Sequence, residues 1–136
     1  MRDSLQVIEF NSDLHLSIVN QWLHRIDSYQ MNAHNIPKIG FIVTYTDDFV
    51  AVAFLRMVEG GFAQLDGLAT NSHMPAHLRD QAIDLVVEKV LNVADGLKIT
   101  SVIANTKDYN TLLRSFRHGF VQLPQTLIAR PGKLRG

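Results

Sequence analysis

The spacing of apolar residues changes period several times along the chain, and each change marks an element. "LQVIEF" (Leu5 to Phe10) reads as a short strand. "NSD" follows and offers helix N-caps, with Ser12 as the candidate. Val19, Trp22, Leu23 and Ile26 then recur at helical spacing and predict one buried face, with Trp22 as its anchor. The polar segment from Tyr29 to Pro37 predicts a short helix or loop.

Three strands in a meander come next. "IGFIVTYT" runs to a turn at Asp47 and Asp48, "FVAVAFLRMVEG" to a turn at Gly60 and Gly61, and "FAQLDGLAT" closes the set. The middle run is apolar at odd and even positions alike, which predicts a central strand covered on both faces. From Ala76 to Asp95, Ile83, Val86, Val87, Val90 and Ala94 fall on one helical stripe, with Gly96 as the expected C-cap. "KITSVIANT" reads as a strand. Its helix-length crossover requires it to lie parallel to a strand already laid down. "DYNTLLRSFRHGF" predicts a second helix ended by Gly119, where His118 complements the helix C-terminus, and "FVQLPQTLIAR" a last strand broken at Pro124. The fold class is therefore α/β (α+β): a mixed, mostly antiparallel sheet flanked by helices, in the order β-α-α-β-β-β-α-β-α-β.

A chain of 136 residues with no internal repeat or linker reads as a single domain, 1–136. Its 46% hydrophobic content is enough for a core without staples. The formal net charge of zero argues against broad binding to nucleic acid or acidic membranes. With no cysteine there is neither disulfide nor thiolate chemistry. No signal-peptide pattern or membrane-length apolar run occurs, so a cytoplasmic location is expected. His73 and His77 have the spacing of a metal pair, but Pro75 stands between them and no third ligand accompanies them, so no metal is expected. The basic ending "ARPGKLRG" predicts a frayed tail.

The meander ending in "LDGLAT", the loop and helix "MPAHLRDQAIDLVVEKVL", the strand "ITSVIANT" and the closing "LLRSFRHGF" together resemble the GNAT superfamily of N-acetyltransferases over about residues 5 to 130. In overall look the chain is similar to the short, divergent members carried by tailed bacteriophages, which implies a cytoplasmic or virion location. The resemblance implies acetyl-CoA as cofactor, lying where the fourth strand parts from the fifth. Backbone groups near Leu68, Ala69 and Thr70 would face the acetyl carbonyl, and the pyrophosphate would sit on the start of the following helix. It also implies that Asn105, at the end of a strand, contacts the cofactor arm, with capping of the next turn as the alternative.

Two departures from the family pattern matter. The pyrophosphate motif, laid on Arg79, covers Asp80, Gln81 and Ala82 and puts Asp84 where a glycine belongs; laid on His77, it puts Asp80 there. A carboxylate repels the diphosphate unless a cation such as Arg79 intervenes, so weak cofactor binding, or none, is expected. The tyrosine that protonates the leaving thiolate in many members is replaced by Ser115. For the general base, Asp66 within a strand and Glu59 beside Gly60 are the candidates. Two functions follow. One is an N-acyltransferase with an impaired cofactor loop, acting on a small amine or a protein. The other is a non-catalytic relative, such as a virion component or host-factor binder. An unrelated α+β domain would be marked by a sheet that does not part between "FAQLDGLAT" and "KITSVIANT".

Overall fold

The computed structural model describes residues 4–126, 128 and 130. It contains two compact units, Met1–Asn105 and Thr106–Gly136. The first holds β1 (Leu5–Glu9), α1 (Ser12–Arg25), β2 (Ile39–Tyr45), β3 (Asp48–Val58), β4 (Phe62–Thr70), α2 (Ala76–Gly96) and β5 (Ser101–Ile103); the second holds α3 (Tyr109–Phe116). The five strands form one sheet in the order β1-β2-β3-β4-β5. All neighbours are antiparallel except β4 and β5, which are parallel, as a helical crossover demands.

The middle strand is central for the reason its composition implies. Every residue of β3 from Val50 to Leu55 is buried. Ala51, Ala53 and Leu55 face the α2 layer, where they meet Ala82, Ile83, Val86, Val87 and Val90. Val52 and Phe54 face the α1 layer, with Val19, Trp22, Leu23 and Met31. Alternation along the strand feeds both cores.

Several local expectations shift. Asn11, not Ser12, caps α1, its side chain accepting from the N–H groups of Asp13 and Leu14. Ile26 lies just past the helix and is exposed. Gly96 stays inside α2; the left-handed residue that ends the helix is Lys98, with Ile99 N–H returning to the Ala94 carbonyl. No second helix forms between α1 and β2, where the chain turns as a loop. Asn20 on α1 both donates to and accepts from the backbone of Met31, pinning that segment to α1. The strand expected over 98–106 shrinks to Ser101–Ile103, the length over which β4 offers it a partner. The described residues between 120 and 130 form no strand.

His15 is buried on α1 between the rings of Phe10 and Phe49. Its Nδ1 accepts from the Asn11 N–H at 2.9 Å, which requires an unprotonated Nδ1. Burial lowers its pKa below the usual 6.5. The folded state therefore binds this proton less readily than the unfolded chain. The contribution is fully present above pH 6.5 and is lost as pH falls below it. Thermal melts between about pH 5 and 8 are expected to show a stability loss on the acid side that is smaller in His15→Gln.

Charge divides as the units do. Six of the thirteen basic side chains but one of the thirteen acidic ones lie in Thr106–Gly136, so that unit carries +5 and the other −5. The zero net charge is thus a cancellation, and exclusions drawn from it do not hold for either unit alone. Within the second unit Asp108 caps α3, accepting from the Thr111 N–H and hydroxyl, and these bonds lower its pKa. No residue of α3 is buried; Tyr109, Leu113 and Phe116, on one face at i, i+4 and i+7, are all exposed.

Candidate functional site

The site is built on β4. Its first three residues pair with β5, Phe62 with Ser101 through Gln64 with Ile103, and the pairing stops there. β4 continues for six further residues to Thr70, still paired with β3 but with no strand on its other side among the described residues. The cause lies at Gly67. The β3–β4 register shifts between Val52 and Phe54, and Gly67 adopts a φ of +64°. A bulge bends and twists its strand, which carries the second half of β4 away from β5. Gly67 is also the residue its packing demands: a Cβ there would lie 2.5 Å from Met31 Cε and 2.8 Å from the Phe54 ring. The cleft thus exposes a strand edge at Leu68, Ala69 and Thr70, with the Ala69 side chain buried in the α1 layer.

The loop after β4 leads into α2. Asn71 turns it, its side chain bonding the Phe49 carbonyl and the His73 N–H. The helix begins at Ala76 after Pro75, with no side-chain cap and no acidic residue in its first turn. The N–H groups of Leu78 and Arg79 return to the Pro75 carbonyl, while those of Ala76 and His77 precede the first helical bonds. Two guanidinium groups brace this loop. Arg79 Nε donates to the Met74 carbonyl at 3.1 Å, and Arg25, from the end of α1, donates to the Ser72 hydroxyl.

The carboxylates expected to oppose a diphosphate separate. Asp80 is exposed in the first turns of α2. Asp84 and Gln81 instead line a shallow groove of about 560 Å³ with Ser4, Leu5 and Tyr45, at the β1–β2 side of the sheet and away from the β4–β5 opening. Ala82 is fully buried against the sheet. Because α2 starts at Ala76, the amides of Gln81 and Ala82 lie inside the helix, and the open ones are those of Ala76 and His77.

On the α1 face, beside the bulge, sits a cluster that the sequence did not disclose. Asp66 accepts Arg56 Nε at 2.8 Å and the Tyr29 hydroxyl on Oδ2, and the Gly67 N–H at 2.9 Å on Oδ1. Arg56 also donates from Nη2 to the Tyr29 oxygen at 2.8 Å. The Asp66 side chain is 11% exposed and that of Arg56 30%, whereas Tyr29 is 46% exposed. Burial, followed by the bond to Asp66, raises the Tyr29 pKa, with Arg56 acting against them. The sequence carried one signal: Arg56 is the lone charge inside an apolar run that becomes a central strand, and such a charge requires a partner.

Glu59 is exposed in the β3–β4 turn, and Asn105 is exposed after β5. Ser115, in the second unit, donates its hydroxyl to the Leu112 carbonyl at 2.6 Å.

Solved structures share this architecture. GNAT-family acetyltransferase from Streptococcus pneumoniae matches with a TM-score of 0.70 at 9% identity, covering 96% of this chain and 99% of that one. Glucosamine-6-phosphate N-acetyltransferase from Arabidopsis thaliana matches with a TM-score of 0.69 at 8% identity, covering 93% and 98%. A Mycobacterium tuberculosis protein solved in complex with CoA matches with a TM-score of 0.73 at 16% identity, covering 91% and 76%. The fold is that of the GNAT acetyltransferases. No family model matches the chain, and no curated protein matches it. The parting of β4 from β5 thus stands within a GNAT fold.

Proposed function

We propose that the chain is an acetyl-CoA-dependent N-acyltransferase. The observation that carries this reading is the open edge of β4 beyond Gln64, next to a bulge that a left-handed glycine holds in place. The residues fit the cofactor. Backbone groups of Leu68, Ala69 and Thr70 would hold its acyl end and arm, with Asn105 at the end of the neighbouring strand. The open amides of Ala76 and His77, flanked by Arg79 and Arg25, would hold its diphosphate, the arrangement that suits an anion at a helix start. Asp80 opposes it, and Asp84 does not. When bound, acetyl-CoA supplies an acyl group activated as a thioester. The acceptor is an amine, small or on a protein, and Asp66 or Glu59 takes its proton. Ser115, with its proton committed to Leu112, is a poor acid toward a leaving thiolate.

Isothermal titration with acetyl-CoA tests the reading. Saturable binding is expected, and Arg79→Ala should weaken it by about 10- to 100-fold, the range for losing a charge-assisted bond. Absence of heat at millimolar cofactor would sink it.

A second reading, a non-catalytic interaction protein such as a virion component or host-factor binder, is favoured by the second unit. Its +5 charge and the unburied apolar face of α3 suit an acidic, partly apolar partner surface. Light scattering on material purified from its native source, at low and high salt, would reveal a salt-sensitive assembly. A strictly monomeric protein that turns over acetyl-CoA counts against this reading.

A further inference from the structure

We infer that Tyr29 is the group that takes the proton from an acceptor amine and passes it to Asp66, on a loop that Arg56, Asp66 and Asn20 hold against the sheet. The inference rests on the acyltransferase reading. Asp66 is the only carboxylate on β4, but its Oδ2 is occupied by Arg56 and Tyr29 and its Oδ1 by the Gly67 N–H. With one acceptor position left on Oδ1 and a side chain only 11% exposed, it is less open to a substrate than Tyr29 is. The Tyr29 hydroxyl does remain within reach, since the residue is nearly half exposed. Its oxygen donates its proton to Asp66 and accepts one bond from Arg56 Nη2, which leaves one lone pair uncommitted.

The step balances without a further reagent. An alkylamine arrives as an ammonium ion. One N–H bond breaks and its proton bonds to the Tyr29 oxygen, while the Tyr29 proton passes to Asp66 Oδ2. The electron pair stays on nitrogen and becomes the nucleophile toward an acyl carbonyl. Tyr29 is neutral before and after, and Asp66 later returns the proton to solvent. Arg56 fixes both oxygens, and Met31, held by Asn20 and packed on Gly67, fixes the loop beside the bulge.

Two nucleophiles separate this role from a structural one. A panel of primary alkylamines needs deprotonation, whereas hydroxylamine is a weak base that is mostly unprotonated at neutral pH. With acetyl-CoA as donor, Tyr29→Phe is expected to lower kcat for alkylamines by about 10²- to 10⁴-fold and to keep the hydroxylamine rate. Asp66→Asn should show the same split. Calorimetry should give unchanged acetyl-CoA affinity in Tyr29→Phe. Ultraviolet titration of tyrosine should lose a component lying above the usual tyrosine range in Tyr29→Phe and shift it downward in Asp66→Asn. Equal loss with both nucleophiles, or full alkylamine activity in Tyr29→Phe, overturns the relay. So does wild-type protein that binds acetyl-CoA but acylates no alkylamine, which leaves the cofactor reading standing. Wild-type protein that fails to bind acetyl-CoA overturns both.

Discussion

Phe54→Ala is expected to lower the unfolding free energy by about 3–5 kcal/mol, the range for removing a fully buried aromatic side chain. Phe54 is 0% exposed at the centre of β3. Its ring fills the space over two glycines: a Cβ on Gly40 would lie 2.4 Å from the ring, and one on Gly67 2.8 Å from it. Phe10 meets the ring edge-on at 4.9 Å. Strand backbones on both sides thus come within contact of one side chain, and they cannot collapse into its volume without breaking their ladders. The cavity term should be near the upper end for that reason. Stability of an ordinary domain is about 5–15 kcal/mol, so the variant should sit close to its unfolding threshold. Urea unfolding followed by circular dichroism measures the change. A loss under about 1.5 kcal/mol, the scale of a tolerated volume-conserving swap, would mean that the layers close over the gap.

Gly67→Ala is expected to cost about 2–5 kcal/mol, from two sources that can be separated. A left-handed backbone costs an L-residue about 1–2 kcal/mol, and overpacking adds about 1–3 kcal/mol. Met31 and Phe54 are the atoms in the way. Combining Gly67→Ala with Phe54→Ala removes the ring clash but not the backbone strain. The double variant should therefore be more stable than the sum of the single losses predicts, by on the order of 1 kcal/mol. A strictly additive pair would show that the ring clash adds nothing, leaving backbone strain and the Met31 contact to set the cost. The same variant bears on function, because Gly67 sets the bulge that parts β4 from β5. Acetyl-CoA affinity should fall in Gly67→Ala more than stability alone accounts for, which calorimetry at a temperature where the variant is folded can detect.

Much of the fold was legible along the chain because its signals are local. The unbroken apolar run "FVAVAFL" marked the central strand, and the stripe from Ile83 to Ala94 marked the helix that covers it. The parallel pairing of β5 followed from the length of the crossover. Helix ends were misread where side chains competed for the same amides. Asn11 outranked Ser12 as a cap, and Lys98 adopted the left-handed turn in place of Gly96. Those choices depend on where the flanking chain is held, which no window of neighbours contains.

The site divides along the same line. From sequence, Asp66 stood out as a strand carboxylate, and Arg79 as a cation near a helix start. Tyr29 did not stand out, because it lies 37 residues from Asp66 and nothing in its polar surroundings signals a partner. Likewise, Arg25 reaches Ser72 across 47 residues. Asp84 looked harmful by its distance along the chain from the loop, yet it faces the β1–β2 side of the sheet.

By itself the sequence determined the layered mixed sheet, its central strand and the helix that follows β4, since periodic burial and crossover length are properties of consecutive residues. Only the tertiary structure decided which charges face the cleft and which groups share a proton. Those outcomes rest on the twist at Gly67 and on hydrogen bonds between distant segments, and both arise when the sheet and its two helical layers close on one another.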